Sequence, residues 1–133
     1  MRKGYKAMLD EALAVIITLT PEQAAAERNK PDVVLVDIRD PRELERDGVI
    51  PDAFHATRGM LEFWIDPESP YHKPVFAEDK RFIFFCAGGL RSALATKTAK
   101  DMGLDKIAHI EGGFSAWKKA GLPTAEWKPR DKK

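Results

Sequence analysis

The chain reads as a single α/β domain built on a parallel sheet, and three observations carry that reading. Short runs rich in β-branched and aromatic residues, Val33–Val36, Phe82–Phe85 and Lys106–Ile110, alternate with stretches of helical periodicity. Strands that alternate with helices pair through right-handed crossovers, and such crossovers make neighbouring strands parallel. The 133 residues, 44% hydrophobic and 32% charged, are enough for one domain with a substantial core and a solvated surface.

The elements follow in chain order. Met1-Arg2-Lys3 precedes an apolar stretch from Ala12 to Leu19, which loosely resembles a signal peptide. Asp10 and Glu11 interrupt that pattern, and Leu9, Leu13, Ile16 and Ile17 make a helical stripe, so residues 1–18 are expected to form an N-terminal helix. Thr20-Pro21-Glu22-Gln23 is a helix start: Thr20 as N-cap, Pro21 in the first turn, Gln23 closing a capping box. That helix runs to about Asn29, before Lys30-Pro31. Val33-Val34-Leu35-Val36 is a strand buried on both faces. Pro41 opens a short helix, across which Arg39 and Glu43 are expected to pair at the surface. Gly48 to Ala53 is a turn, Phe54-His55-Ala56 a short strand, and Met60 to Ile65 a helical patch. Residues 66–79 hold three prolines and read as a loop covering part of the site. A helix after Ser92 presents Leu94, Ala95, Thr98, Ala99 and Met102 on one face and stops at Gly103. After the last strand, Glu111-Gly112-Gly113 turns into a helix from Phe114 to Ala120, and a charged, frayed tail covers 127–133. The core of the domain spans about 19–120.

The centre of the sequence is Phe82-Ile83-Phe84-Phe85-Cys86-Ala87-Gly88-Gly89-Leu90-Arg91-Ser92. A buried strand ends on the only cysteine, and a glycine-rich loop leads into a helix. The first N–H groups of a helix lack partners within it, and the helix dipole puts partial positive charge there. A glycine-rich loop lets several N–H groups converge on one point. Arg91 adds a permanent positive charge. The arrangement suits a nucleophilic thiolate that also holds an anionic group. A lone cysteine is by itself a small buried hydrophobe, but a structural one needs neither Gly-Gly nor an arginine and a helix start directly behind it. In parallel sheets, sites form beyond the carboxyl ends of the strands, where Asp37, Cys86 and Glu111-Gly112 all fall.

Composition bounds the partners. Lys and Arg total 22 against 21 Asp and Glu, a net charge of +1, so neither nucleic acid nor a membrane surface is expected. No apolar run approaches the ~20 residues of a membrane span. One cysteine excludes a disulfide within these residues, and no Cys/His cluster has metal-ligand spacing. A reducing, cytoplasmic setting fits, with no cofactor and no metal.

Four pieces, in order, resemble the rhodanese-like sulfurtransferase family: Leu35-Val36-Asp37-Ile38-Arg39 with Glu43; Gly48-Val49-Ile50-Pro51-Asp52-Ala53; Cys86 to Ser92; and Glu111-Gly112-Gly113-Phe114-Ser115-Ala116-Trp117. The resemblance covers about Leu19 to Trp117. Asp52 departs from it, standing where the family usually has glycine, which puts the local turn in question. The resemblance implies a five-stranded parallel sheet flanked by helices on both faces. It implies that Cys86 carries sulfur as a persulfide, taken from thiosulfate or a similar donor and passed to cyanide or a thiol, with a protein acceptor as a further partner. The amides of Ala87, Gly88, Gly89, Leu90, Arg91 and Ser92 would stabilise the anion.

Other assignments stay open on the sequence. Arg91 either contacts the donor or braces the loop. Arg58 either binds the donor at the pocket mouth or is a surface arginine. Asp37 either holds the Cys86 loop or shapes a strand end. His55, His72 and His109 read as packing or surface residues, and Trp117 as core or pocket wall. Two other functions compete: a cysteine phosphatase or arsenate reductase, whose loop has five residues between Cys and Arg where this chain has four, and a non-catalytic sulfur-carrier or protein-binding domain.

Overall fold

The capping box at Thr20 forms as its side chains dictate. The Thr20 hydroxyl accepts from the Gln23 N–H at 3.1 Å, and Gln23 Oε1 accepts from the Thr20 N–H at 2.8 Å. The computed structural model describes residues 1–129, so part of the expected frayed tail, residues 130–133, lies outside the described residues. In order, the chain forms α1 (Tyr5–Val15), β1 (Ile17–Leu19), α2 (Pro21–Glu27), β2 (Val33–Asp37), α3 (Pro41–Asp47), β3 (Phe54–His55), α4 (Leu61–Ile65), β4 (Arg81–Phe85), α5 (Leu90–Met102), β5 (Ile107–Ile110) and α6 (Gly113–Lys119).

The five strands form one parallel sheet in the order β1-β5-β4-β2-β3. Its centre is β4, whose Phe82, Ile83, Phe84 and Phe85 are all buried because helices cover both faces. On one face Val36, Phe82, Phe84 and Ile107 pack against Leu61 and Ile65 of α4 and Ala95 and Ala99 of α5. On the other, Leu35, Ile83, Phe85 and Ile110 pack against Ala24 of α2 and Phe114 and Trp117 of α6. Each buried Val, Leu, Ile or Phe among them contributes about 1.5–3 kcal/mol. Among the described residues no helix is long and apolar enough to cross a membrane.

Three sequence expectations are corrected. The N-terminal helix ends at Val15, because the β-branched run Ile16-Ile17-Thr18 leads into an edge strand paired in register with Ala108–Ile110. Ala12 is the buried residue of α1, while Leu13 and Ile17 stay about half exposed. The buried set of α5 is Ser92, Ala93, Ala95, Thr96 and Ala99, not a stripe ending at Met102. This helix is covered twice, by the sheet and by α1, and small residues permit both close approaches. Both ends of the 66–79 segment lie away from the site. Pro67 and Phe76 line a hollow with Met102, Gly103 and Leu104, at the end of α5 roughly 20 Å from its start by helical rise.

Asp52 adopts φ +70°, a left-handed conformation that L side chains other than Asn and Asp rarely take. The family-like glycine position is thus a backbone requirement, met here by an aspartate.

Candidate active site

Strand β4 delivers Cys86 to the carboxyl rim of the sheet, where the Ile38 N–H reaches the Phe85 carbonyl at 3.0 Å. The chain then turns through Ala87-Gly88-Gly89. Gly89 is the N-cap of α5 at φ +99°, and a Cβ there would come within 3.2 Å of the Gly112 nitrogen. This turn brings two backbone donors onto the sulfur: Cys86 Sγ accepts from the Gly89 N–H at 3.2 Å and from the Ser92 N–H at 3.3 Å. The second is one of the partnerless first-turn donors of α5. Cys86 itself is buried, Ala87 half-buried, Gly88 and Leu90 exposed.

The opposite edge of the loop is held by α6. The Cys86 carbonyl accepts from the Phe114 N–H at 2.7 Å and the Ala87 carbonyl from the Ser115 N–H at 3.0 Å. With those carbonyls turned to α6, the amides that follow face the sulfur. Such an approach leaves no room for a side chain at Gly113, where φ is +59° and a Cβ would collide with the Cys86 carbonyl oxygen and lie 2.8 Å from the Ala87 carbonyl carbon.

Arg91 is half-exposed and makes a two-pronged pair with Glu43, at 2.8 Å and 3.0 Å. The Arg91 guanidinium, together with the Asp40 N–H that donates to Glu43 Oε1, holds the Glu43 carboxyl down to about 2. Arg91 in turn is raised, first by Glu43 and also by the Cys86 sulfur nearby. The expected Arg39–Glu43 pair is therefore absent. Arg39 is fully buried. It donates to Asp37 Oδ2 at 2.7 Å and to the Gly48 carbonyl at 2.8 Å, and lies 4.1 Å over the Phe114 ring.

That ion pair also takes up the Asp37 carboxylate, for which two roles were left open. Its carboxylate accepts from the Arg39 backbone and guanidinium and makes no hydrogen bond to the Cys86 loop. Support reaches the loop only indirectly, through Arg39 stacked on Phe114 and the Phe114 N–H on the Cys86 carbonyl. Arg58 stands at the rim with its N–H on the Ile38 carbonyl and its guanidinium 2.9 Å from Glu62. Trp117 is core, its Nε1–H donating to the Pro123 carbonyl at 2.8 Å.

The sequence reading missed His109. This residue is buried on β5, with Nδ1 3.0 Å from Ser92 Oγ and Nε2 3.0 Å from Thr18 Oγ1. Burial pushes its imidazole down to about 4, so it is neutral. Strand alternation was the available signal: His109 shares the face of Ile107, the face that α5 covers.

The chain has known relatives in sequence and in fold. Residues 20–120 match the Rhodanese-like domain family. An uncharacterised protein of Synechocystis is 34% identical over 112 residues, 84% of this chain, and the chain spans 58% of that protein's length. A protein of Allochromatium vinosum named sulfurtransferase is 32% identical over 92 residues, covering 69% of this chain and 78% of the other. Among solved structures, a protein of unknown function from Rhodopseudomonas palustris, described as a possible tyrosine phosphatase, is 65% identical with a TM-score of 0.91, covering 94% of this chain and 96% of the other. The polysulfide-sulfur transferase homodimer of Wolinella succinogenes is 32% identical with a TM-score of 0.70, covering 91% and 86%.

Proposed function

The chain belongs to the rhodanese-like domain family, and on that premise we propose that it transfers a sulfane sulfur through a persulfide on Cys86. The observation that carries the proposal is the pair of N–H groups, from Gly89 and Ser92, directed at Cys86 Sγ. They hydrogen-bond the negatively charged sulfur that attacks in the first half of the reaction and leaves in the second.

In the first half, the Cys86 thiolate attacks the outer sulfur of thiosulfate or a similar donor. An S–S bond forms to Sγ, the donor's own S–S bond breaks, and its electron pair leaves with sulfite. In the second half, cyanide or a thiolate attacks the outer sulfur of the persulfide, and the electron pair returns to Sγ. Thiocyanate or a new persulfide departs. Sulfite is a good leaving group in the first half and the hydrogen-bonded Cys86 thiolate in the second, so neither half requires an acid–base side chain beside Cys86, and neither uses a cofactor. The 133 residues contain no second cysteine, so the sulfur goes to an external acceptor, a small thiol, cyanide or a thiol on a partner protein. Arg91 and Arg58 are already paired with Glu43 and Glu62, which offsets their charge, so these cations contribute less than the loop amides.

A second reading draws on the Rhodopseudomonas relative, described as a possible tyrosine phosphatase. Two features weigh against it for this chain: only four residues separate Cys86 from Arg91, and Arg91 is turned to Glu43 rather than left free for a phosphate. One experiment decides. Incubation with thiosulfate adds the mass of one sulfur atom to the intact protein, and cyanide removes it as thiocyanate. Cys86→Ser abolishes both steps with the fold kept. Turnover of an aryl phosphate exceeding thiocyanate formation would assign the phosphatase reading instead, and neither activity would assign a binding domain.

A further inference from the structure

His109 lies outside the catalytic loop, yet its hydrogen bonds lead directly into it. Ser92 Oγ has one proton and two nearby partners, the Gly89 carbonyl at 3.3 Å and His109 Nδ1 at 3.0 Å. A carbonyl can only accept, so we assign the Ser92 proton to the Gly89 carbonyl and the ring proton to Nδ1, which then donates to Ser92 Oγ. Nε2 is then the unprotonated nitrogen and accepts from the Thr18 hydroxyl at 3.0 Å. Every group in the chain Thr18–His109–Ser92–Gly89 is satisfied in this direction. The two loop residues at its end, Ser92 and Gly89, are the same two whose N–H groups reach Cys86 Sγ.

We propose that His109, as its neutral Nδ1–H tautomer, is the positioning residue of the sulfur site, fixing through the Ser92 hydroxyl the two amides that hold the Cys86 thiolate. The role rests on the sulfur-transfer reading above for its function, but not for its geometry. The imidazole touches neither sulfur nor donor. It acts from β5, clamping the first turn of α5 to the sheet. Without it the Ser92 hydroxyl, buried at the helix start, loses its donor, and the turn that aims both N–H groups is free to relax. A hydrogen-bonded pair of this kind, broken on one side in a buried site, slows a step that depends on it by roughly tenfold or more.

The test compares His109→Leu, which removes the donor, with His109→Asn, whose amide N–H sits close to the position of Nδ1. Two rates are read: single-turnover sulfur loading from thiosulfate, and alkylation of Cys86 by iodoacetamide. In His109→Leu both fall by roughly tenfold or more, and in His109→Asn most of each rate returns. Ser92→Ala removes the same bond from the other side, so it matches His109→Leu and makes a further change at His109 nearly silent. This pair keeps the test open if His109→Leu does not fold. Wild-type rates in His109→Leu, an Asn variant as slow as the Leu variant, or additive losses in the double variant would each overturn the proposal. If the wild-type protein takes up no sulfur, the sulfur-transfer reading falls, and the alkylation rates still decide the role of His109 at Cys86.

Discussion

A single methyl group at Gly113 tests whether the α6 turn holds the Cys86 loop. Gly113 lies at φ +59°, and a Cβ there would run into the Cys86 carbonyl oxygen and lie 2.8 and 2.9 Å from the Ala87 carbonyl carbon and oxygen. All three are backbone atoms of the loop, so no side chain can rotate away to make room. Gly113→Ala carries a left-handed backbone penalty of about 1–2 kcal/mol. It also loosens the Phe114 and Ser115 donations to the Cys86 and Ala87 carbonyls, each worth about 1 kcal/mol. The total is about 3–4 kcal/mol, and at roughly 3–5 °C per kcal/mol for a chain of this size the melting temperature falls by roughly 10–20 °C. Because the clash pushes on the residue bearing the sulfur, iodoacetamide alkylation of the folded protein slows as well. Gly88→Ala is the control: nothing lies within 4 Å of its Cβ, so it stays within about 0.5 kcal/mol of wild type. Thermal melts and alkylation rates of both variants are the assay. A Gly113→Ala protein with wild-type melting and wild-type alkylation would refute the claim that the turn holds the loop.

Three further outcomes are expected. The folded-state value of His109, about 4, lies below its ordinary 6.5. The fold therefore prefers the neutral imidazole, and its stabilisation is complete above pH 6.5 and is lost as the pH falls toward 4. The loss is about 3 kcal/mol; urea unfolding across that window measures it, and His109→Asn flattens the slope. Arg91→Ala removes the cation that holds Glu43 near 2; melting temperature and kcat fall together while KM for thiosulfate changes less, and melting curves run beside steady-state kinetics check this. A weakened KM with unchanged melting would assign Arg91 to donor binding. Asp52→Gly relieves the left-handed backbone at φ +70° and stabilises the domain by about 0.5–1 kcal/mol, read from denaturant midpoints.

Local chemistry makes a large part of this protein legible in its residues alone. The Thr20 capping box, the strand Val33–Val36, the strand running into Cys86 and the stop at Gly103 depend on residues within one turn or one strand of each other. Their physics is contained in a short window. Even the family-like turn at Asp52 announced its strain, because a residue's backbone angle is set largely by its neighbours.

The partners inside the site were decided elsewhere. Glu43 was expected to pair with Arg39, four residues away, and pairs instead with Arg91, 48 residues away. Arg39 is drawn inward to Asp37, because a permanently charged guanidinium enclosed between β2 and α6 is costly to bury unless a carboxylate lies beside it. His109 read as packing until the order β1-β5-β4 set it between Thr18 and Ser92. The 66–79 segment, read as a cover for the site, sets Pro67 and Phe76 at the other end of α5. Sequence spacing settles which groups meet along one helix or strand. Which groups meet across the rim depends on strand order, and strand order follows from burying both faces of the sheet at once, a requirement no short window of residues contains.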